Sequence, residues 1–299
     1  MSRLSKLRLF ALLIALLLPL ALLIGCIPGG SSDDDDTTDP TDDDDTTDDV
    51  DDDDDDATPA PQGSVSGRVV DLAGAPLADI GISCCSEEMC LTASSGTTGD
   101  FSIVGLRANT FVVDNLGYPG SDPQAAAMDW SKFFEFVTVG EDEAVVLGKD
   151  LVLAEVDEHQ QVSSGSNSLS YAGGLSVSFD GSAVDLPFLV ADVDPLAVGA
   201  IELGEAAWPV GGLEGHDIVR AWAFAPFEVG LENGTFSVAI TMSESFTQAT
   251  NASLMWADYT EGVESEHFES SDATISADGL TVTGEVAKLS LLMLVTPSP

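Results

Sequence analysis

The sequence predicts an all-β chain with two β-rich modules, and three observations carry the prediction. Apolar residues alternate with small or polar ones in short runs, clusters of Gly, Pro and Asp punctuate those runs, and Asp278-Gly279 sits between two of them as a hairpin signal. In the first module Val65, Gly67 and Val69 alternate with Ser66, Arg68 and Val70, which predicts a strand. Residues 71–76, DLAGAP, carry turn chemistry, and residues 77–83 rise as a second strand. A third short strand begins at Leu91 and ends at the turn over 96–99. Phe101, Ile103 and Gly105 open a fourth, and Phe111, Val112 and Val113 form a fifth.

The series VSGRVVDLAGAPLADIGIS, TTGDFSIVGL and a strand ending NLGY resembles the carboxypeptidase regulatory-like domain, a transthyretin-type β-sandwich. The resemblance covers residues 64–118 and extends through FEFVTVG and VVLGKDLVL to Ala154. It implies an accessory module without catalytic residues, in which Phe101 enters the core after the Asp100 step. Two features depart from the pattern: a cysteine-rich hairpin, and an inserted segment over 119–132 whose QAAAMDWSK predicts a helical turn.

Residues 155–165, EVDEHQQVSSG, read as an interdomain linker. Beyond it Ile218, Arg220, Trp222 and Phe224 alternate with small residues, as do Phe236, Val238, Ile240 and Met242, and each pattern predicts a half-buried strand. Residues 273–276 and 280–285 flank the Asp278-Gly279 turn, and Leu289, Leu291, Met293 and Val295 supply a final strand. The order APFEV, TFSVAIT, SLMWADY, SADGLTVTGEVAKLSLL is loosely similar to immunoglobulin-like C-terminal β-sandwiches of bacterial envelope proteins. The expected domains are therefore 63–154, a linker over 155–165, and a second sandwich over 166–299.

Ahead of these modules, Arg3, Lys6 and Arg8 precede an apolar run over 9–23 that is short for a membrane span and broken by Pro19. The run ends in Leu23, Ile24, Gly25 and Cys26. This resembles a bacterial lipoprotein signal, which implies removal of residues 1–25 and acylation of Cys26 on its sulfur and its new amine, with two or three chains giving stable anchorage. Ile27 follows the cysteine where an Asp would favour inner-membrane retention, so the resemblance implies an outer-membrane location. Residues 26–62 form a linker in which DDDDTTD occurs at 33–39 and 42–48, followed by six aspartates over 51–56. With almost no apolar side chain to offset ordering entropy, and with adjacent carboxylates repelling, this segment is expected to be disordered and extended, reaching up to ~100 Å. Such a stalk favours display at the cell surface.

Charge and motif content narrow the chemistry. Lys and Arg number 9 against 52 Asp and Glu, a formal charge of −43, and the basic residues after 57 are scattered singly, which excludes nucleic acid as a partner. Poly-Asp would attract divalent cations only weakly and without specificity. The flat reading of the acidity is solubility in a salty medium. After Cys26, the cysteines are Cys84, Cys85 and Cys90. Cys84 and Cys85 would face opposite sides of a strand, so at most one meets Cys90 across residues 86–89, and Cys85 with Cys90 is the expected disulfide. The surplus thiol belongs in the core or pairs with another chain. His159, His216 and His267 stand apart beside acids and form no metal-ligand spacing, and no nucleophile elbow, phosphate loop or dinucleotide fingerprint occurs. No metal or cofactor is expected. Trp222 and Trp256 belong to strand patterns, which leaves Trp130 and Trp208, beside loops, as the expected ligand-contact aromatics. The expected function is non-enzymatic: a lipid-anchored envelope protein displaying β-sandwich modules for adhesion or for binding carbohydrate or protein. The alternatives are a docking component of an envelope complex and, behind it, an enzyme such as a glycosidase.

Overall fold

The structure, a computed structural model, describes residues 62–298 apart from 121, 188–189, 210, 212, 247–250 and 259–266. The motif Leu23, Ile24, Gly25 and Cys26 and all but the last residue of the acidic linker lie outside the described residues. The described part is all-β with one short helix. Its strands are β1 (Gly63–Val70), β2 (Gly81–Cys85), β3 (Cys90–Ser94), β4 (Asp100–Leu106), β5 (Asn109–Asn115), β6 (Phe134–Val139), β7 (Ala144–Val146) and β8 (Leu151–Val152) in the first half. The second half contains β9 (His159–Gln161), β10 (Ser166–Tyr171), β11 (Leu175–Asp180), β12 (Val184–Asp185), β13 (Ala197–Leu203), β14 (His216–Ala225) and β15 (Val229–Leu231). It continues with β16 (Phe236–Thr241), β17 (Ala252–Asp258), β18 (His267–Ile275), β19 (Thr281–Val286), β20 (Lys288–Leu289) and β21 (Leu291–Pro297).

In the first half, a sheet of order β4-β1-β7, with β8 also on β1, faces a sheet of order β3-β2-β5-β6. Val65, Val69, Phe101 and Ile103 from one sheet meet Ile82, Cys84, Phe111 and Val113 from the other. The second strand begins at Gly81 rather than at residue 77, because Asp79 adopts φ +60 and a left-handed residue cannot continue an extended run. The inserted segment does form a helix, α1 (Pro123–Asp129). Asp122 caps it by accepting from Gln124 N at 3.0 Å, and Pro123 stands in the first turn, where its missing N–H costs nothing.

The second half contains a ten-stranded sheet folded over on itself, ordered β10-β11-β16-β19-β18-β17-β21-β14-β13-β9, together with a three-stranded sheet ordered β12-β15-β20. The fold runs through β18, whose residues up to Ala273 pair with β17 and whose Thr274 and Ile275 pair with β19. Trp222, Phe224, Leu254, Trp256, Leu292 and Leu294 fill the space against Val177, Phe236, Val238, Ile240 and Val282. Tyr171 on β10 ties the two ends together by donating its hydroxyl to the Val198 carbonyl at 2.9 Å.

A third core joins the halves. Val112 and Phe134, on the outward face of the β5–β6 pair, pack against Leu203, Ala221, Ala223, Met255, Leu291 and Met293 on the outward face of the folded sheet. Strands β14, β17 and β21 are therefore covered on both sides. All of residues 291–295 are buried, with Leu292 and Leu294 entering one core and Leu291, Met293 and Val295 the other. This corrects the expectation of half-buried strands for residues 218–224: Trp222 and Phe224 face inward as expected, but the small residues Ala221 and Ala223 are equally buried because a second sheet lies on them.

The segment 155–165 is likewise no free connection. Glu155 bridges to Trp130, Val156 is buried and donates to the Asp129 carbonyl at 2.7 Å, and β9 pairs with β13. Its polar character suits an edge strand with one open side, which local composition does not separate from a linker. Gln160 also donates to the Ser170 carbonyl at 2.6 Å, blunting the edge of β10.

Candidate functional site

Cys85 and Cys90 stand directly opposite each other on β2 and β3 and are disulfide-bonded, with Ser86 N donating to the Met89 carbonyl at 2.8 Å to close the turn. Cys84 faces the other way, into the first core. Burial, and then the nearby Asp114 charge, push its thiol pKa up to about 12, so it is not a nucleophile at neutral pH. Neither Trp130 nor Trp208 forms an open aromatic platform. Trp130 packs against the first core, and Trp208 packs against the middle one while its indole N–H donates to the Leu203 carbonyl at 2.9 Å. Both are half-buried because the loops that carry them lie in the junction between the halves rather than over solvent.

His159 and His216 do not converge. His159 is in register with Gly199, which pairs with Ala225, whereas His216 begins the same β14 strand nine residues earlier, a separation of ~30 Å at strand rise. His159 Nε2 contacts the Met128 carbonyl at 2.6 Å, and the backbone of His267 pairs with Asp258. Among the described residues no group of three or more His, Cys, Asp or Glu is placed to hold a metal ion.

Five of the six cations among the described residues stand in ion pairs. Arg68 pairs with Asp150 (3.6 Å), Lys132 with Asp114 (3.0 Å), Lys149 with Glu135 (3.0 Å), Arg220 with Glu202, and Lys288 with Glu228 (2.6 Å) and Asp258. Lys149 and Glu135 also fasten the halves, since Glu135 accepts from Gly211 N at 2.7 Å and Lys149 donates to the Trp208 carbonyl.

Two of these pairs border a pocket of about 200 Å³ at the junction of the halves. Tyr118, just after β5, and Ala127 and Lys132, from α1 and the turn after it, form one side. Pro187, Val190, Pro226, Phe227 and Glu228 form the other. Asp114, buried and accepting from the Ser83 hydroxyl, fixes the Lys132 ammonium, which lies 5.5 Å from the centroid of the Phe227 ring. Burial raises the Tyr118 pKa above its ordinary value, the Asp114 charge adds to this, and Lys132 and Asn115 oppose it. The phenol thus remains a proton donor at neutral pH. Glu228 takes a left-handed backbone, φ +69, which costs a residue with a Cβ about 1–3 kcal/mol and is found where the surroundings impose it. Here Leu289 accepts its N–H at 2.8 Å and Lys288 holds its carboxylate.

Chemically the pocket offers two aromatic rings, two prolines and a few polar groups, the composition of a binding site. Glu228 is its one carboxylate among the described lining residues, so the paired acids of glycoside hydrolysis are not formed there. Sequence reading missed Tyr118, Lys132, Phe227 and Glu228. The available signal was the inserted segment over 119–132, which interrupts the strand pattern and supplies one wall.

No family model and no curated protein matches the chain. Among solved structures it aligns with a proposed carbohydrate-binding protein from Bacteroides uniformis, at 10% identity over 76% of this chain and 99% of that one, with a TM-score of 0.23. It also aligns with a DUF3823 family protein from Bacteroides ovatus, at 9% identity over 80% of this chain and 97% of that one, with a TM-score of 0.23. At such scores neither alignment bears on the fold or the site.

Proposed function

We propose that this chain is a non-enzymatic binding protein of the bacterial outer membrane. In this reading it is anchored by lipid on Cys26 and lifted towards the cell surface by the acidic linker. Its first sandwich is of the carboxypeptidase regulatory-like type, and a single uncharged sugar ring of a glycan occupies the junction pocket. The observation that carries the reading is the pocket's make-up. Tyr118, Phe227, Pro187 and Pro226 present flat apolar surface to the C–H faces of a ring, while Lys132, the Tyr118 hydroxyl and Glu228 stand where ring hydroxyls need donors and acceptors.

Charge and size support the same ligand. Lys132 is balanced by Asp114 and Glu228 by Lys288, so the site has no surplus positive charge to select an anion. At about 200 Å³ it falls below the ~300–1,000 Å³ of drug-sized sites, which suits one ring. The test is titration of the full chain with a panel of neutral monosaccharides, followed by calorimetry or saturation-transfer NMR. Tyr118→Ala is expected to weaken binding about tenfold, through the lost stacking surface. Absence of binding to every sugar, or equal binding by Tyr118→Ala, would refute the pocket assignment.

A further inference from the structure

The sequence holds five asparagines, and Asn233 alone is followed by glycine. Asn233 and Gly234 lie in the loop between β15 and β16. Both are exposed, and among the described residues neither the Asn233 carboxamide nor the Gly234 N–H makes a hydrogen bond. The flanks are held. Glu232 N donates to the Ala183 carbonyl at 2.8 Å, the Thr235 hydroxyl donates to the Glu285 carboxylate at 2.9 Å, and Phe236 pairs with Val286. Rotation of the two residues at the loop tip therefore breaks no hydrogen bond, and glycine at 234 brings no Cβ to crowd its own amide nitrogen.

We infer that Asn233 is a site of spontaneous covalent modification, converting to isoaspartate and aspartate with water as the co-reactant. Hydroxide takes the Gly234 amide proton, and the nitrogen attacks Asn233 Cγ. The N–Cγ bond forms, the Cγ–Nδ2 bond breaks, and Nδ2 leaves as ammonia after taking a proton from water, which returns the hydroxide and leaves a cyclic succinimide. Water then opens the ring. Cleavage of the N–Cγ bond gives aspartate, and cleavage of the backbone C–N bond gives isoaspartate, whose main chain runs through the side-chain methylene. Nothing is oxidised or reduced, and either product adds one negative charge.

The other places where such a ring could close are shut by the fold. Asn115 is wholly buried, accepts from Phe133 N at 3.1 Å and donates to the Gly117 carbonyl at 3.3 Å. Asn167 accepts from Ser163 N at 2.9 Å and donates to the Gly165 carbonyl at 2.7 Å. Asn109 and Asn251 precede Thr110 and Ala252, which carry a Cβ and are paired in β5 and β17. In the two Asp-Gly pairs the nitrogen is engaged: Gly181 N donates to the Gly165 carbonyl and Gly279 N to the Ser276 carbonyl, each at 2.8 Å. Hydrogen bonds from Ser182 and from Ser276 also hold the Asp180 and Asp278 carboxyls below the usual pKa, and a carboxylate resists attack by an amide nitrogen.

The experiment is incubation of the full chain in mildly alkaline buffer, followed by peptide mass mapping and labelling with an isoaspartyl methyltransferase. The peptide holding Asn233 is expected to convert about tenfold faster than any other asparagine or aspartate peptide, with isoaspartate among the products. Gly234→Ala is expected to slow it about tenfold. The added methyl fits, since a Cβ there would lie 3.7 Å from its nearest neighbour, Leu231 Cδ1, and Gly234 has no left-handed backbone. A parallel incubation of the parent chain in urea needs no variant: Asn233 should convert there about as fast as in the folded chain, while Asn115 and Asn167 speed up. Three results would overturn the inference: conversion at Asn233 no faster than at Asn251, an unchanged rate in a folded Gly234→Ala chain, or a rate at Asn233 that rises about tenfold in urea. Asn233 does not line the junction pocket, so these outcomes and those of the sugar titration are independent.

Discussion

Met293→Ala separates two descriptions of this protein. Met293 is wholly buried on β21, opposite Met255 and Ala221, within the core that joins the halves. Were the second sandwich separate on a linker, this face of β21 would meet water, and truncation would cost no more than ~0.5 kcal/mol. In the observed arrangement it removes a long buried side chain between closely packed neighbours, a change that costs about 2–5 kcal/mol. The flexibility of Met and partial collapse of its site favour the lower part of that range, about 3 kcal/mol. For a folded unit of this size that corresponds to a fall of ~6–12 °C in unfolding temperature. Scanning calorimetry is the assay, since it also shows whether the halves melt together. A shift below ~2 °C, or two separate transitions in the parent of which only one moves, would refute the shared core.

Further outcomes follow from ionisation and from the amino terminus. Burial opposes the charge on Lys288, but hydrogen bonds and attraction from Asp258 and Glu228 outweigh it, so its pKa lies above 10.5; burial likewise raises Tyr171 above 10. Both contributions are intact below those unfolded values and are lost as pH rises through the folded ones, so stability should fall from about pH 10 upward. Tyr171→Phe should lessen that dependence while costing about 1–2 kcal/mol near neutrality, because Val198 loses its donor, as read by urea unfolding at pH 8 and pH 11. Cys26→Ser should move the protein from the membrane fraction to the soluble fraction and abolish palmitate labelling; unchanged membrane association would contradict lipid anchorage.

Much of the strand layout was legible because a half-buried strand leaves a period of two in its own residues. Phe236, Val238 and Ile240 read correctly as inward, and Asp278-Gly279 as a hairpin turn, from local chemistry alone. The cross-strand placement of Cys85 and Cys90 was likewise set by the short loop between them. The same logic misread β9, whose polarity belongs to a sheet edge, and it understated β14 and β21, whose second faces are covered by residues far away in the chain.

What the sequence determined by itself, then, is the all-β character, the turns and the excess of acid, since each depends on residues adjacent in the chain. Only tertiary structure decided that the halves share a core, that Trp130 and Trp208 are half-buried, and that Tyr118, Lys132, Phe227 and Glu228 surround one pocket. The physical reason is separation along the chain. Tyr118 and Phe227 come together only because the outward faces of β5–β6 and of the folded sheet are both apolar and bury one another, and apolar attraction is non-directional, so no local pattern records which partner a face will find.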